Sequence, residues 1–198
     1  MPDSNITKKV LSAALKQLMD TESFEKVTVS DICEACGVSR KTFYYHFQDK
    51  YELAEWVFNT EFIAVLKKTN PTDQWETIDA ICRCFYGERK FYSGLLAYDG
   101  QNSFREYFQS FLFQTLEQRI LPDMPHIRFV AEDEGLSPDE AKEFFLHFFS
   151  DSILVAIFRW ITYGGKIPPE QFVALLKSVA KLIEARVYEK TGLDLPAE

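Results

Sequence analysis

Residues 28–53 read TVSDICEACGVSRKTFYYHFQDKYEL. The stretch opens on Thr28-Val-Ser-Asp31, the form of a capping box with Asp in place of the usual Glu, and predicts a helix over about 29–35. Gly37 stands where a left-handed residue is wanted to end it. Ser39 then caps a further helix over 40–47, and Asp49 caps the next, with Glu52 at its third position. Between Phe43 and Phe47 lie four aromatic rings, more than one inner face of a short helix can bury. At about 100° per residue, Phe43 and Phe47 lie one turn apart and set the buried direction. Lys41 and Tyr45 point nearly opposite, Thr42 and Tyr44 flank them, and Arg40 and His46 fall closer to the core side.

The outward face therefore offers cations, hydroxyls and phenols. It suits phosphates, thymine methyls and base edges. The two short helices and their Gly37 turn make a helix-turn-helix, the second helix lying in a major groove. Base readout is expected from Lys41, Thr42 and Tyr45, and phosphate contact from Tyr44 and Arg40. His46 suits a packing or bridging role as well as a DNA contact. Ser39 and Thr42 lie at a helix N-terminus, which favours phosphate. Thr28 is a further phosphate candidate. Lys50 is a cation at the start of a helix, where it opposes the dipole, so an external anion is its expected partner.

Outward from this stretch the chain reads as all-α. Ile6, Val10, Leu11, Ala14, Leu15 and Leu18 form a stripe at spacings of three and four, predicting a first helix over about 4–19. Phe24 follows in a loop and is expected to plug the core. Beyond residue 50, helices are expected to about Lys68, over 73–87 with an irregular or helical stretch to Tyr98, and from Ser103 to before Pro122. A loop over 122–136, a helix over 138–163 ending at Gly164-Gly165, and a last helix from Pro168-Pro169 to near Lys190 complete the chain. A head of residues 1–50 and a larger body of 51–198 follow.

The 198 residues carry a net charge of −8, and the first fifty are neutral. The head is thus the part able to approach a polyanion, while the acidic body discourages other approaches. No segment has 18 uninterrupted apolar residues, so no membrane association is expected. The N-terminus lacks the apolar core of a signal peptide, and a cytoplasmic protein with reduced cysteines is expected. Cys33-x-x-Cys36 and Cys82-x-Cys84 invite a zinc reading, but the pairs fall on different helices and the histidines lack ligand spacing, so neither metal nor cofactor is expected. No Ser/His/Asp grouping or phosphate-cradling Gly loop suggests an enzyme.

The quoted stretch resembles the DNA-binding region of the TetR family of transcriptional regulators, in Thr28, Val29, Ile32, Gly37, Val38, Ser39, Phe43, Tyr44, His46, Phe47 and Lys50. It departs at Cys33 and Cys36, where that family mostly has small residues. Residues 91–108, FYSGLLAYDGQNSFREYF, look like the C-terminal domain of Firmicutes regulators, a branch that includes activators of dihydroxyacetone kinase operons. The resemblance implies a homodimer whose last two helices form a four-helix bundle, a near-palindromic double-stranded operator, and an effector, small molecule or protein, acting on the C-terminal domain. It favours repression and leaves open an activator under a protein partner. A binding module that has lost DNA affinity is a further alternative. Phe85, Tyr86, Phe91, Tyr92, Phe104, Tyr107, Phe108 and Phe111 suit an effector cavity and suit a packed core equally. The apolar residues of helix 138–163 and of the last helix exceed what one intrachain contact needs, and the surplus reads as dimer interface.

Overall fold

A computed structural model describes residues 4–69, 74–120, 137–163 and 167–191. The described residues hold helices and no strand: α1 Ser4–Leu18, α2 Val29–Cys36, α3 Arg40–His46, α4 Lys50–Thr69, α5 Gln74–Gly87, α6 Arg89–Ala97, α7 Phe104–Thr115, a π-helical turn Leu116–Ile120, α8 Pro138–Tyr163 and α9 Pro169–Thr191. The expected loop 122–136, the stops at Asn70-Pro71 and Gly164-Gly165, and the side chains of Leu182, Ile183 and Val187 lie outside the described residues.

Local chemistry fixes the head. Thr28 Oγ1 accepts from Asp31 N (3.2 Å), while Thr28 N donates to Asp31 Oδ2 (2.8 Å), a reciprocal cap. Gly37 has φ 68°, a conformation that costs other residues energy. Its N–H reaches Glu34 O and that of Val38 reaches Cys33 O, so the helix ends in a Schellman motif. Ser39 Oγ accepts from Thr42 N (3.1 Å) and starts α3. Phe24, Val27, Ile32, Phe43 and Phe47 are buried with Leu11 and Leu15 of α1. The first-helix stripe is narrower than expected: Ile6 and Val10 are exposed.

The buried residues form one cluster from head to body. α4 passes from one to the other, packing against α1, α5 and α7. α8 is long and apolar enough to cross a membrane by length and composition alone, which the uninterrupted-run criterion does not register. One side of it is buried through Leu146, Ser150, Leu154, Ile157, Trp160 and Ile161, and it packs against α6 and α7. Its other side exposes Phe144, Phe148 and Val155, and α9 exposes Leu175 and Val179.

Candidate nucleic-acid interface

α3 divides as its spacing dictates. Phe43 and Phe47 are buried, whereas Tyr45 is 80% and Tyr44 51% exposed. Lys41 is exposed and Thr42 half-buried. Arg40 is also exposed, further from the core than the helical wheel places it. His46 is half-buried, its ring edge-on to Tyr45 at 5.0 Å and 6.4 Å from Phe47. It thus braces the exposed Tyr45 against the core. Tyr44 rests edge-on against Phe43 at 5.5 Å. Two phenols and two cations are presented on a short helix, and each phenol ring has an edge-on neighbour.

Three sequence candidates have internal partners. Ser39 Oγ and Thr42 Oγ1 share a hydrogen bond of 2.8 Å, so the two hydroxyls order each other at the start of α3. Thr28 Oγ1 donates to Asp31 Oδ2 (2.7 Å) besides accepting the cap bond. These bonds hold the Asp31 carboxyl below the usual carboxylate range. The Thr28 hydroxyl and N–H thus both serve the cap, next to an anionic carboxylate.

Lys50 also has internal partners. Its Nζ donates to the carbonyls of Phe24 (2.7 Å), Glu25 (3.0 Å) and Val27 (2.8 Å). An ammonium has three protons, and here all three are taken. The ammonium also lies 4.8 Å from the Phe24 ring centroid. Burial pushes its pKa below the usual lysine value, against the pull of Glu25 and Asp49. Its unfavourable place at a helix start is offset by the carbonyls of the α1–α2 loop. Asp49 Oδ1 supplies the cap itself, accepting from Tyr51 N (2.8 Å) and Glu52 N (2.9 Å), while Glu52 takes the N–H of Gln48 instead of closing the expected box on Asp49.

Sequence reading missed Lys8, whose Nζ lies 5.1 Å from the Phe47 ring centroid and 5.8 Å from that of Trp56, placing a cation beside the core of α3. It also missed the polar bridge between head and body. Lys16 of α1 pairs with Glu61 of α4 and with Glu88 (3.4 Å), and Tyr92 of α6 donates to the same Glu61. Burial first, then Cys84 and Glu61, hold the Tyr92 phenol far above its ordinary value. The available signal was Glu61 itself, three residues after Phe58 on a buried stripe, where a carboxylate needs partners.

The proposed effector residues fill space. Phe58, fully buried, has Phe85, Tyr92, Phe104, Tyr107, Phe108 and Phe111 around it at centroid distances from 5.3 to 6.3 Å. Phe85 and Tyr92 meet edge-to-face at 4.5 Å. Tyr86 turns away and stacks on Trp160, and Phe91 lies under the Lys16 ammonium. Of the two readings these eight residues allow, the ring distances favour a packed core. A small apolar void of about 10 Å³ lies elsewhere, among Ile78, Ile81, Leu112, Thr115, Leu116, Ile153 and Ile157. That is about the space of one water, and its one polar side chain, Thr115, already donates its hydroxyl to Phe111 O.

Among the described residues no three His, Cys, Asp or Glu side chains converge as a metal site. The four cysteines are free, and burial pushes the Cys82 and Cys84 thiols up to about 12.

Known proteins share this arrangement. Residues 10–57 match the family "Bacterial regulatory proteins, tetR family", and residues 73–182 match "Transcriptional regulator C-terminal region". Over 109 residues the chain is 28% identical to the HTH-type dhaKLM operon transcriptional activator DhaS of Lactococcus lactis subsp. lactis (strain IL1403), a match spanning 54% of this chain and 57% of that relative. Among solved structures, a dihydroxyacetone kinase operon activator DhaS is similar in fold. Its TM-score is 0.59 at 21% identity, with 92% of this chain and 96% of that one covered. A TetR transcriptional regulator from Streptococcus agalactiae 2603V gives a TM-score of 0.60 at 21% identity, covering 87% and 92%.

Proposed function

Because the chain belongs to the TetR family of bacterial transcriptional regulators, we propose that it binds a near-palindromic operator as a homodimer through the outward face of α3. The exposed Lys41, Tyr44 and Tyr45, held over the buried Phe43 and Phe47, carry this reading. Lys41, Thr42 and Tyr45 read base edges, and Arg40, Tyr44 and Ser39 meet phosphate. His46 keeps Tyr45 upright. The acidic body turns other approaches away, which leaves α3 as the face toward DNA. A cytoplasmic location accompanies that role.

The second protomer packs on the exposed stripe of α8 and on α9. Phe144, Phe148, Val155, Leu175 and Val179 are large apolar side chains left exposed on these two helices, and they support an association site there. Two α3 helices then enter successive major grooves, about 34–36 Å apart.

Repression is the first reading of the outcome. A second reading, activation under the control of a protein partner, is favoured by the packed aromatic core and by the similarity to a relative described as an operon activator. In both, the signal acts on the body by binding two conformations with different affinity.

Selection of bound fragments from randomised DNA tests the proposal. Two inverted half-sites about one helical turn apart are expected, with one dimer per site. Enrichment of single, unpaired sites contradicts the dimer geometry, and absence of enrichment contradicts DNA reading by α3. A reporter carrying the selected site, with and without the regulator, then separates repression from activation.

A further inference from the structure

Cys33 and Cys36 take no part in a metal site or in the outward face of α3, yet the fold sets them together. Both lie on the last turn of α2, three residues apart and so on one side of the helix. Cys33 is 5% exposed, and Cys36 is half-buried against the same core. The Cys36 thiol turns back along the helix, its Sγ 3.1 Å from Ile32 O and 3.7 Å from Cys33 O. Burial first, then Cys36 itself, holds the Cys33 thiol above its ordinary value, while Arg40 pulls it down. Cys82 and Cys84 differ: both are buried, and two residues apart on α5 they do not face each other. The turn that carries Cys33 and Cys36 also ends α2. Cys33 O accepts from Val38 N (3.0 Å), Gly37 N reaches Glu34 O (3.3 Å), and Ser39 then caps α3. Helical neighbours three apart hold their Cβ atoms about 5–6 Å apart, and a disulfide needs about 3.5–4.5 Å. Closing that bond draws Cys36 toward Cys33 and loosens the turn that leads to α3.

We propose that Cys33 and Cys36 form a reversible oxidation site: a small-molecule disulfide converts the two thiols to a disulfide within α2, which opens the end of that helix and displaces α3 from the operator. The consequence for DNA rests on the DNA-binding reading above. The Cys36 thiolate, the more accessible of the two, attacks one sulfur of the small disulfide and expels a thiolate. The Cys33 thiolate then attacks the Cys36 sulfur of the mixed disulfide and expels the second. The two protein thiols lose two electrons and two protons, and the small disulfide leaves as two thiols. In a reducing compartment the pair stays open, so the bond is a transient signal and not a staple of the fold.

The test equilibrates the full-length protein with mixtures of reduced and oxidised glutathione, traps free thiols by alkylation and maps the products by mass. Cleavage after Lys26 and Arg40 gives one peptide, 27–40, that holds Cys33 and Cys36 and neither of the other cysteines. A disulfide within that peptide is expected, reversed by reductant, with Cys82 and Cys84 still alkylated as thiols. No oxidation, a link between two chains, or Cys36 left as a stable mixed disulfide overturns the site. Hydrogen exchange in the free protein reads the helix end without DNA. The amides of Gly37 and Val38 should exchange faster in the oxidised form, and unchanged protection overturns the opening of α2. Operator affinity is expected to fall at least tenfold on oxidation and to return on reduction. Cys36→Ala, at a half-buried position, should bind as the reduced protein does and lose the response. Unchanged affinity in the oxidised protein, or a response that survives Cys36→Ala, overturns the switch. Failure of the reduced protein to select DNA instead strikes the DNA-binding reading, which the mapping and the exchange measurement do not use.

Discussion

Phe108→Ala decides whether the aromatic centre of the body is a core or a ligand cavity. Phe108 is fully buried, with ring centroids of Phe85 at 4.8 Å, Phe58 at 5.6 Å, and Phe104 and Phe111 at 6.0 Å. Lost burial costs about 2 kcal/mol. The rings around it are locked by one another and relax little. A residual void of about 80 Å³, at about 24 cal/mol per Å³, adds about 2 kcal/mol. The sum, about 4 kcal/mol, lies inside the usual range for deleting a buried phenylalanine. For a chain of this size it lowers Tm by roughly 8–16 °C. Urea unfolding at one fixed protein concentration measures it, because a dimer's apparent stability depends on concentration. The dry void created should also bind benzene, raising the Tm of the variant and leaving that of the unsubstituted protein unchanged. A loss below about 1 kcal/mol would mean that the site was already open, and the packed-core account would be refuted.

Other substitutions probe the remaining assignments. Tyr45→Ala or Lys41→Ala should each lose about 1–3 kcal/mol of operator binding with relaxed specificity at one position, and unchanged affinity in a fluorescence-anisotropy titration removes that residue from the readout. Glu61→Ala should destabilise the fold by about 1–3 kcal/mol in urea, since the Lys16 ammonium and the Tyr92 hydroxyl lose their shared acceptor; an effect within 0.5 kcal/mol, roughly a surface substitution, contradicts the bridge. Thr28→Ala should cost about 1 kcal/mol through the lost cap. The Asp31 carboxyl is depressed in the folded state, so its contribution is present above its unfolded value of 3.8 and fades as pH falls through the lower folded one. Acid titration of stability should show that fading, and Thr28→Ala should remove it. Phe144→Asp with Phe148→Asp should turn the dimer into a folded monomer in sedimentation, and persistence of the dimer places the interface elsewhere.

What the sequence reveals is local. The Thr28–Asp31 cap, the Gly37 turn, the Ser39 cap and the face of α3 depend on residues within four positions of one another, so spacing and residue type suffice to find them. Phe24 was legible as a core plug because an aromatic in a polar loop has few other uses. Lys50 was not legible. Its partners are 23 to 26 residues away, and they are backbone carbonyls that carry no signature of residue type. The polar bridge through Glu61 spans 45 residues to Lys16 and 31 to Tyr92, and shows in sequence only as a carboxylate on an apolar stripe. The aromatic residues of the body were found but not placed, because rings that line a cavity and rings that fill one have the same periodicity. Only the centroid distances separate the two. Ile6 and Val10 fit the periodicity of α1, yet the helices packed on it cover less of its surface than that stripe would need.

The central claim, selective DNA binding through the face of α3, is met most directly by one titration. The full-length protein is bound to its selected operator and to a scrambled duplex across a salt series, alongside Tyr45→Ala. The account predicts tight operator binding that weakens steeply with salt, an operator preference of at least about a thousandfold, and loss of much of that preference in Tyr45→Ala with the salt slope unchanged. Equal binding to both duplexes, or a preference that survives Tyr45→Ala and Lys41→Ala alike, would contradict it.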